Sequence, residues 1–155
     1  MGTFNPEEFM NSTVEDAMST KIIPCPAGEW LGLIADEVKV KEVIGGPSSK
    51  NPGVSFPVLT VIFSIDDPKV TSITERVPTK VRYECFLDIG DNGKLDIKAG
   101  RNVGLGRLRE AVGLNQSGVP FSFRMLQGKT ARVAVTHRTD GDAIYDEVKG
   151  VAPAN

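Results

Sequence analysis

The sequence predicts a mainly β fold, an OB-like small antiparallel barrel with one short helix and an N-terminal arm. Several segments alternate apolar and polar residues with a period of two, which is typical of strands with one buried side. Gly-rich turn sequences separate these segments, and one stretch of helical spacing lies between them. The 155 residues fit a single domain. We therefore expect an arm over residues 1–27 and a single β-barrel domain over residues 28–155.

The N-terminal arm is polar and interrupted by prolines, so it offers little material for a core. The spacing of Phe9, Val14 and Ala17 favours a short helix over Glu7–Ala17 with a small apolar side. The folded body is expected to begin after this arm.

Five strands and one brief returning strand are predicted for the body. The first is long and bent near Gly32 or Asp36, and Pro57 at the start of the second favours a sheet edge or a bulge. A flexible hairpin loop, Gly45–Gly53, joins these two strands. The brief strand is Leu95–Ile97. The main strands are expected over Glu29–Val43, Val54–Ile65, Lys80–Ile89, Lys129–Arg138 and Ala143–Val151.

The helical elements of the body are expected to be short. Asp66–Arg76 begins with two aspartates and a proline, which favours a short helix or an irregular excursion. Apolar residues recur at helical spacing from Val103 to Val112, where Asn102 is a plausible N-cap and Gly113 a stop.

Composition excludes several classes of protein. Hydrophobic residues make up 40% and charged residues 25% of the chain, as in globular proteins. The longest apolar run, Val58–Ile65, is far shorter than the roughly 20 residues that span a bilayer, so no membrane partner is expected. The acidic N-terminus lacks the pattern of a secretory signal, and we expect the protein to stay in the reducing compartment where it is made, with Cys25 and Cys85 as free thiols.

Charge is segregated along the chain. Residues 1–37 carry seven acids and only Lys21, whereas residues 101–138 carry seven bases and only Glu110. The basic block is the pattern expected of a protein that neutralises phosphates of a nucleic acid. The alternative is a solvated surface balanced by the acidic segments, and the sequence leaves both interpretations open.

No catalytic or metal-binding constellation can be assembled from the sequence. The chain has one histidine, His137, and two cysteines 60 positions apart, which fit neither a zinc site nor a nucleophile with its base. The acids and amide near the 90–93 turn are better explained by turn chemistry than by a cation site. Glycines in Gly100–Gly106 lack the spacing of a nucleotide-binding loop. We therefore expect a protein that is not an enzyme and that needs no cofactor.

Aromatic residues interleaved with bases are the remaining functional pattern, because bases of nucleic acid stack on aromatic rings while phosphates pair with cations. Among the aromatic residues, Phe86 gives the strongest indication of a binding surface. It falls on the polar side of the predicted strand with Arg82, where an exposed aromatic ring needs a reason. The candidate nucleic-acid-binding residues are Lys39, Lys41, Arg82, Phe86, Arg132, Arg138 and Tyr145.

Three segments carry a resemblance to a known family: Pro26-Ala-Gly-Glu-Trp30 before the first strand, Asn102-Val-Gly-Leu-Gly-Arg-Leu-Arg-Glu-Ala-Val-Gly113, and Leu126-Gln-Gly-Lys129 before a strand. In these the chain resembles the OB-fold single-stranded-DNA-binding proteins of tailed bacteriophages and related uncharacterised phage proteins. The resemblance covers most of residues 20–152. It implies protection of single-stranded DNA during phage replication or recombination, in the cytoplasm of the bacterial host.

The sequence therefore predicts two alternative functions. The first is sequence-tolerant binding of single-stranded DNA, with phage replication proteins and further copies of the chain as possible partners. The alternative is a phage structural or assembly protein whose acidic arm docks on a basic surface of a neighbouring copy or partner. The segregated charge motivates both.

Overall fold

The structure is a computed structural model, and it describes residues 3–48 and 52–154. Within these ranges the chain forms one six-stranded antiparallel sheet with three short α-helices and one 3-10 helix over Phe123–Leu126, so the mainly β prediction is confirmed. The α-helices are α1 (Pro6–Met10), α2 (Pro68–Thr74) and α3 (Val103–Ala111). The strands are β1 (Gly28–Leu33), β2 (Lys39–Ile44), β3 (Ser55–Ile65), β4 (Thr79–Phe86), β5 (Thr130–Asp140) and β6 (Ala143–Ala152).

Strand β3 is the centre of the sheet. It pairs with β2 over Ser55–Thr60 and with β4 over Val58–Ile65, and at Ser64 it also pairs with Leu33 of β1. Strand β1 pairs in turn with β5, and β5 forms a hairpin with β6. The strand order is therefore β2–β3–β1–β5–β6, with β4 on the other edge of β3.

The long first strand predicted over Glu29–Val43 is interrupted. Ile34 is fully buried, and its backbone N–H donates to the carbonyl of Lys129 at 2.8 Å, which holds the end of β1 against the turn before β5. The chain then turns through residues 35–38, which include the predicted bend position Asp36, and resumes as β2. In place of the one predicted strand there are two, β1 and β2, and both pair with the same edge of β3.

One side of β3 forms the floor of the hydrophobic core. Leu59, Val61, Phe63 and Ile65 have no exposed surface, as expected for the apolar positions of an alternating strand. Strands β4 and β5 contribute buried residues from the facing positions, and Leu126 of the 3-10 helix closes one end. The alternation predicted for Lys80–Ile89 is confirmed, except that Tyr83 is only half-buried.

The predicted closure into a barrel is wrong for the described residues, because β4 and β6 approach each other without pairing. Helix α3 contacts both strands, and its Leu105, Leu108 and Ala111 are buried there. It lies close to β4, where the Tyr83 hydroxyl donates to the carbonyl of Gly104 at 3.4 Å. The helix therefore covers the place where a closed barrel would have a row of hydrogen bonds.

The arm folds less than expected. Helix α1 ends at Met10 and does not extend to Ala17, and the Asn5 side chain caps it by accepting from the N–H groups of Glu7 and Glu8. Every described residue up to Ile23 is exposed, so the predicted apolar side packs against nothing in the body. A five-residue helix without tertiary contacts gains little stability, which accounts for its early end.

Two further predictions from turn chemistry need correction. Asn102 stands at the start of α3 in the left-handed conformation, and its side chain makes no cap. Instead it donates to the carbonyls of Asp88 and Asp96 at 2.9 Å and accepts from the N–H of Asp88 at 2.8 Å. The predicted strand Leu95–Ile97 is reduced to a single bridge between Leu95 and Ile89. Residues 49–51 of the predicted hairpin loop lie outside the described ranges.

A cross-strand pair on the β5–β6 hairpin hydrogen-bonds to the backbone of Cys25, near the C-terminal end of the arm. His137 and Asp146 lie opposite each other; the His137 Nε2 donates to the carbonyl of Cys25 at 2.8 Å, and the Asp146 carboxylate accepts from the Cys25 N–H at 2.8 Å. Arg76 donates to the carbonyl of Ile23 at 2.8 Å. Cys25 is thereby placed in the core, so its packing joins it to the body although it lies within the predicted arm.

We expect Asp146→Ala to lower the free energy of unfolding by about 1–3 kcal/mol, because it removes a charged acceptor and leaves the buried Cys25 N–H unpaired. Urea denaturation of the two proteins measures the difference. Asp142→Ala, in the exposed turn of the same hairpin, is the control and should change stability by less than about 0.5 kcal/mol. Equal effects of the two substitutions would contradict the proposed role of this contact.

Candidate nucleic-acid interface

Four of the seven predicted binding residues share one side of the sheet. Lys39 and Lys41 project from β2, and Arg82 and Phe86 from β4, on the side of β3 that faces away from the core. We call this surface the β2–β4 face. Across the strands it contains the rows Lys41–Val58–Phe86, Lys39–Thr60–Glu84 and Ile62–Arg82, and it continues to Phe56 at one end and Lys80 at the other.

The aromatic part of the β2–β4 face is a pair of rings. Phe86 is 66% exposed, and the centroid of its ring lies 5.4 Å from that of Phe56, with the planes inclined by 57°. Val58 of β3 lies opposite Phe86 of β4 and Lys41 of β2, and it is fully buried although it belongs to the outer side. The rings and the neighbouring Lys41 therefore surround a buried apolar side chain, that of Val58.

Phe56 was not predicted as a site residue. It precedes Pro57, which indicated an irregular start of the strand, and the observed pairing opposite Val43 places it on the same side as Phe86. The strict alternation of β3 from Leu59 onward carries the signal that could have assigned it to the outer side.

The charged part of the face is organised around one carboxylate. Glu84 lies 3.4 Å from the Nζ of Lys41 and 4.0 Å from the Nη1 of Arg82. Lys80, further along β4, pairs with Asp36 at 3.7 Å. All these side chains are at least one-third exposed, so solvent screens the pairs and each contributes little to folding.

The other three predicted residues lie elsewhere. Arg138 and Tyr145 are cross-strand neighbours on the β5–β6 hairpin, with the guanidinium 5.2 Å from the ring centroid, and Arg138 also pairs with Glu147 at 3.5 Å. Arg132 is opposite Leu31 of β1 and donates to the carbonyl of Ala154. The structure therefore brings four candidates together, places two in a second location and leaves one separate.

The members of the basic block of residues 101–138 are distributed over the bend before α3, α3 itself, the 3-10 helix, the segment before β5 and β5, and several of them are engaged by other side chains. Arg101 pairs with Asp96 at 3.8 Å, and Arg124 pairs with Glu37 at 3.3 Å. Arg109 lies 4.3 Å above the ring of Phe121. The count of bases along the sequence thus overstates the positive charge that any one surface carries.

A shallow groove of about 540 Å³ lies beside the end of β1 and has a different character. Its walls are mainly apolar and include Leu31, Leu33 and Val77, while Asp66 and Asp67 supply its charge. Neither an aromatic nor a basic side chain lines it. Its charge repels phosphate, and the groove is therefore a poor match for a nucleic acid.

The described residues hold no group of three or more histidine, cysteine, aspartate or glutamate side chains arranged to bind a metal ion. The carboxylates near the 90–93 turn serve local structure: Asp88 accepts from the N–H of Asn102, and Asp96 from the N–H of Lys98. In the part of the chain that is described, no helix has the length and apolar character needed to span a membrane.

Both cysteines are free and buried. Burial raises the pKa of the Cys25 thiol to about 11, assisted by the nearby Asp146 carboxylate and opposed by Arg76. Burial likewise raises the pKa of the Cys85 thiol to about 11. At neutral pH both are therefore protonated, and neither provides the thiolate that nucleophilic chemistry requires.

The sequence matches no protein-family model and no curated protein with which it was compared. The geometry and chemistry of the β2–β4 face are therefore the basis on which a function can be inferred.

The raised thiol pKa values predict a loss of stability in alkaline solution. In the unfolded chain the thiols ionise near pH 9, whereas in the folded chain they ionise near 11, so their contribution is complete below pH 9 and is lost between pH 9 and 11. Urea denaturation at pH 8 and at pH 11 tests this. Cys85→Ala should be less stable at both values but should lose less between them; an equal loss in both proteins would contradict the assignment.

Proposed function

We propose that the protein binds single-stranded DNA on the β2–β4 face, without strong sequence preference, and protects it during phage replication or recombination. The main support for the proposal is the exposed ring of Phe86, which lies beside a second ring, Phe56, on the same face as the cations Lys41 and Arg82. Two neighbouring rings on a surface that also carries cations supply the two contacts that a single strand needs, stacking for its bases and ion pairing for its phosphates.

The arrangement of the elements also supports the proposal. Strands β1 and β2 together act as one bent strand along β3, α3 lies between β4 and β5 in the chain, and β6 returns beside β4. We propose that this is a partly open OB-like barrel, which agrees with the resemblance found in the sequence. In OB folds the outer side of the second and third strands is a common site for oligonucleotides, and β3 and β4 occupy those positions here.

The chemistry of the face accounts for sequence tolerance. A phenyl ring offers no hydrogen-bond donor or acceptor, so it stacks on any base, and each base stacked in this way contributes about 1–3 kcal/mol. Lys39, Lys41 and Arg82 reach phosphates, which are the same at every nucleotide. Binding of this kind needs neither a cofactor nor a catalytic group.

The remaining predicted residues take a secondary role in this proposal. Arg138 and Tyr145 on the hairpin offer one further cation and one half-exposed ring to a single DNA strand that extends beyond the β2–β4 face. Arg132 offers a further phosphate contact on the outer side of β5. Further copies of the chain and phage replication proteins remain the proposed partners, in the cytoplasm of the bacterial host.

We expect Phe86→Ala to weaken binding of a labelled single-stranded oligonucleotide by about 5–150-fold, since it removes the stacking of one base. Fluorescence anisotropy at low and moderate salt measures the affinity. The slope of affinity against salt should stay unchanged, because no cation is removed. Phe9→Ala is the matched control, since Phe9 is 63% exposed but lies on the arm. Equal affinities for the wild type and Phe86→Ala would contradict the proposed site.

A second candidate function, assembly through protein contacts, is favoured by the side chains of the arm. Six large apolar residues of the arm are each at least 63% exposed, a density that is unusual unless a partner covers them. These residues are Phe4, Phe9, Met10, Val14, Met18 and Ile22. The acids of the arm would complement a basic face on a neighbouring copy, as the charge segregation suggests.

Removal of residues 1–20 tests the second candidate and leaves the hydrogen bonds at Ile23 and Cys25 in place. If the arm joins copies, light scattering will give fewer copies per particle for the truncated protein than for the full chain. The same number of copies in both proteins would count against assembly through the arm. Binding of single-stranded DNA by the truncated protein separates the two functions.

A further inference from the structure

We propose that Glu84 makes the β2–β4 face selective for single-stranded over duplex DNA. This inference rests on the proposed function and assigns to that site a residue that determines specificity. Glu84 is the carboxylate at the middle of the surface that carries Lys39, Lys41 and Arg82, and it contacts two of these three cations.

The register of the sheet determines the position of Glu84. It lies on β4 opposite Thr60, which in turn lies opposite Lys39 of β2, so the carboxylate belongs to the central row of the face. One of its oxygens lies 3.4 Å from Lys41 and the other lies 4.0 Å from Arg82, so the side chain spans the two neighbouring rows. A phosphate that approaches either cation must compete with the same carboxylate.

The fold does not require this charge. The Glu84 side chain is 36% exposed, and its two partners are 47% and 61% exposed, so screening leaves little stabilisation in either pair. Since the carboxylate adds little to stability, its main effect is on what the two cations that it contacts can bind.

The effect of Glu84 differs between single strands and duplexes. A duplex carries one phosphate charge per roughly 1.7 Å of axis, whereas one strand alone carries about half of that density. The carboxylate therefore repels a duplex about twice as strongly. In addition, a single strand can stack its bases on Phe86 and Phe56, a contribution that the carboxylate does not oppose, whereas the bases of a duplex are stacked on each other.

Glu84→Gln tests the inference, because it keeps the shape of the side chain and removes only the charge. If single-stranded DNA binds about 5-fold more tightly, duplex should gain about the square of that factor, near 25-fold, because its charge density is doubled. The preference for single strands should thus fall about 5-fold. Glu110→Gln on α3 is the matched control, since it changes the net charge equally at an exposed position away from the face.

Each outcome of the anisotropy titrations has a definite meaning. A larger gain for duplex than for single strand in Glu84→Gln, with no such difference in Glu110→Gln, supports the inference. Equal gains for both forms of DNA, or no gain, overturn it while leaving single-strand binding intact. Failure of the wild type to bind single strands even at low salt overturns the proposed function, and the inference with it. Melting curves establish that the variant is folded.

Discussion

Strand β3 has to bury one side completely while hydrogen-bonding along both edges, and the rest of the structure depends on this constraint. Leu59, Val61, Phe63 and Ile65 place its inner side under the core. Its partners β2, β4 and β1 are then held at fixed register, and their outer side chains converge on the opposite side. The candidate site is therefore a product of core packing: the same pairing that buries the inner side aligns the rings and cations of the outer one.

The face also shows how few charges decide its properties. The chain as a whole has a net charge of -2, and the block that is richest in arginine along the sequence is dispersed in the structure. What remains on the β2–β4 face is a small set of cations, some of them already engaged by Glu84 or Asp36. With so little positive charge, the exposed ring of Phe86 becomes the dominant feature of the surface. A long duplex interface would require a broader basic surface.

The sequence was sufficient to predict the elements that depend on local alternation and turn chemistry. It predicted β3, β4 and the β5–β6 hairpin closely, and the outward position of Phe86 followed from parity alone. It could not predict the interruption after Leu33, because the hydrogen bond between Ile34 and Lys129 joins segments far apart in the chain. For the same reason the basic residues could be named but not located, and the contacts of Glu84 came from strand register, which no local pattern reveals.

Strand β2 has one edge paired with β3, and within the described residues its other edge pairs with no strand. An open edge is a template on which another chain can add a strand and begin aggregation, and lysine side chains are a common protection against this. Lys39 and Lys41 stand on that strand beside Val40 and Ile44, which are exposed. Removing both lysines would therefore leave Glu42 as the one charged side chain of β2 and open the strand to self-association, and loss of soluble protein would be mistaken for loss of affinity.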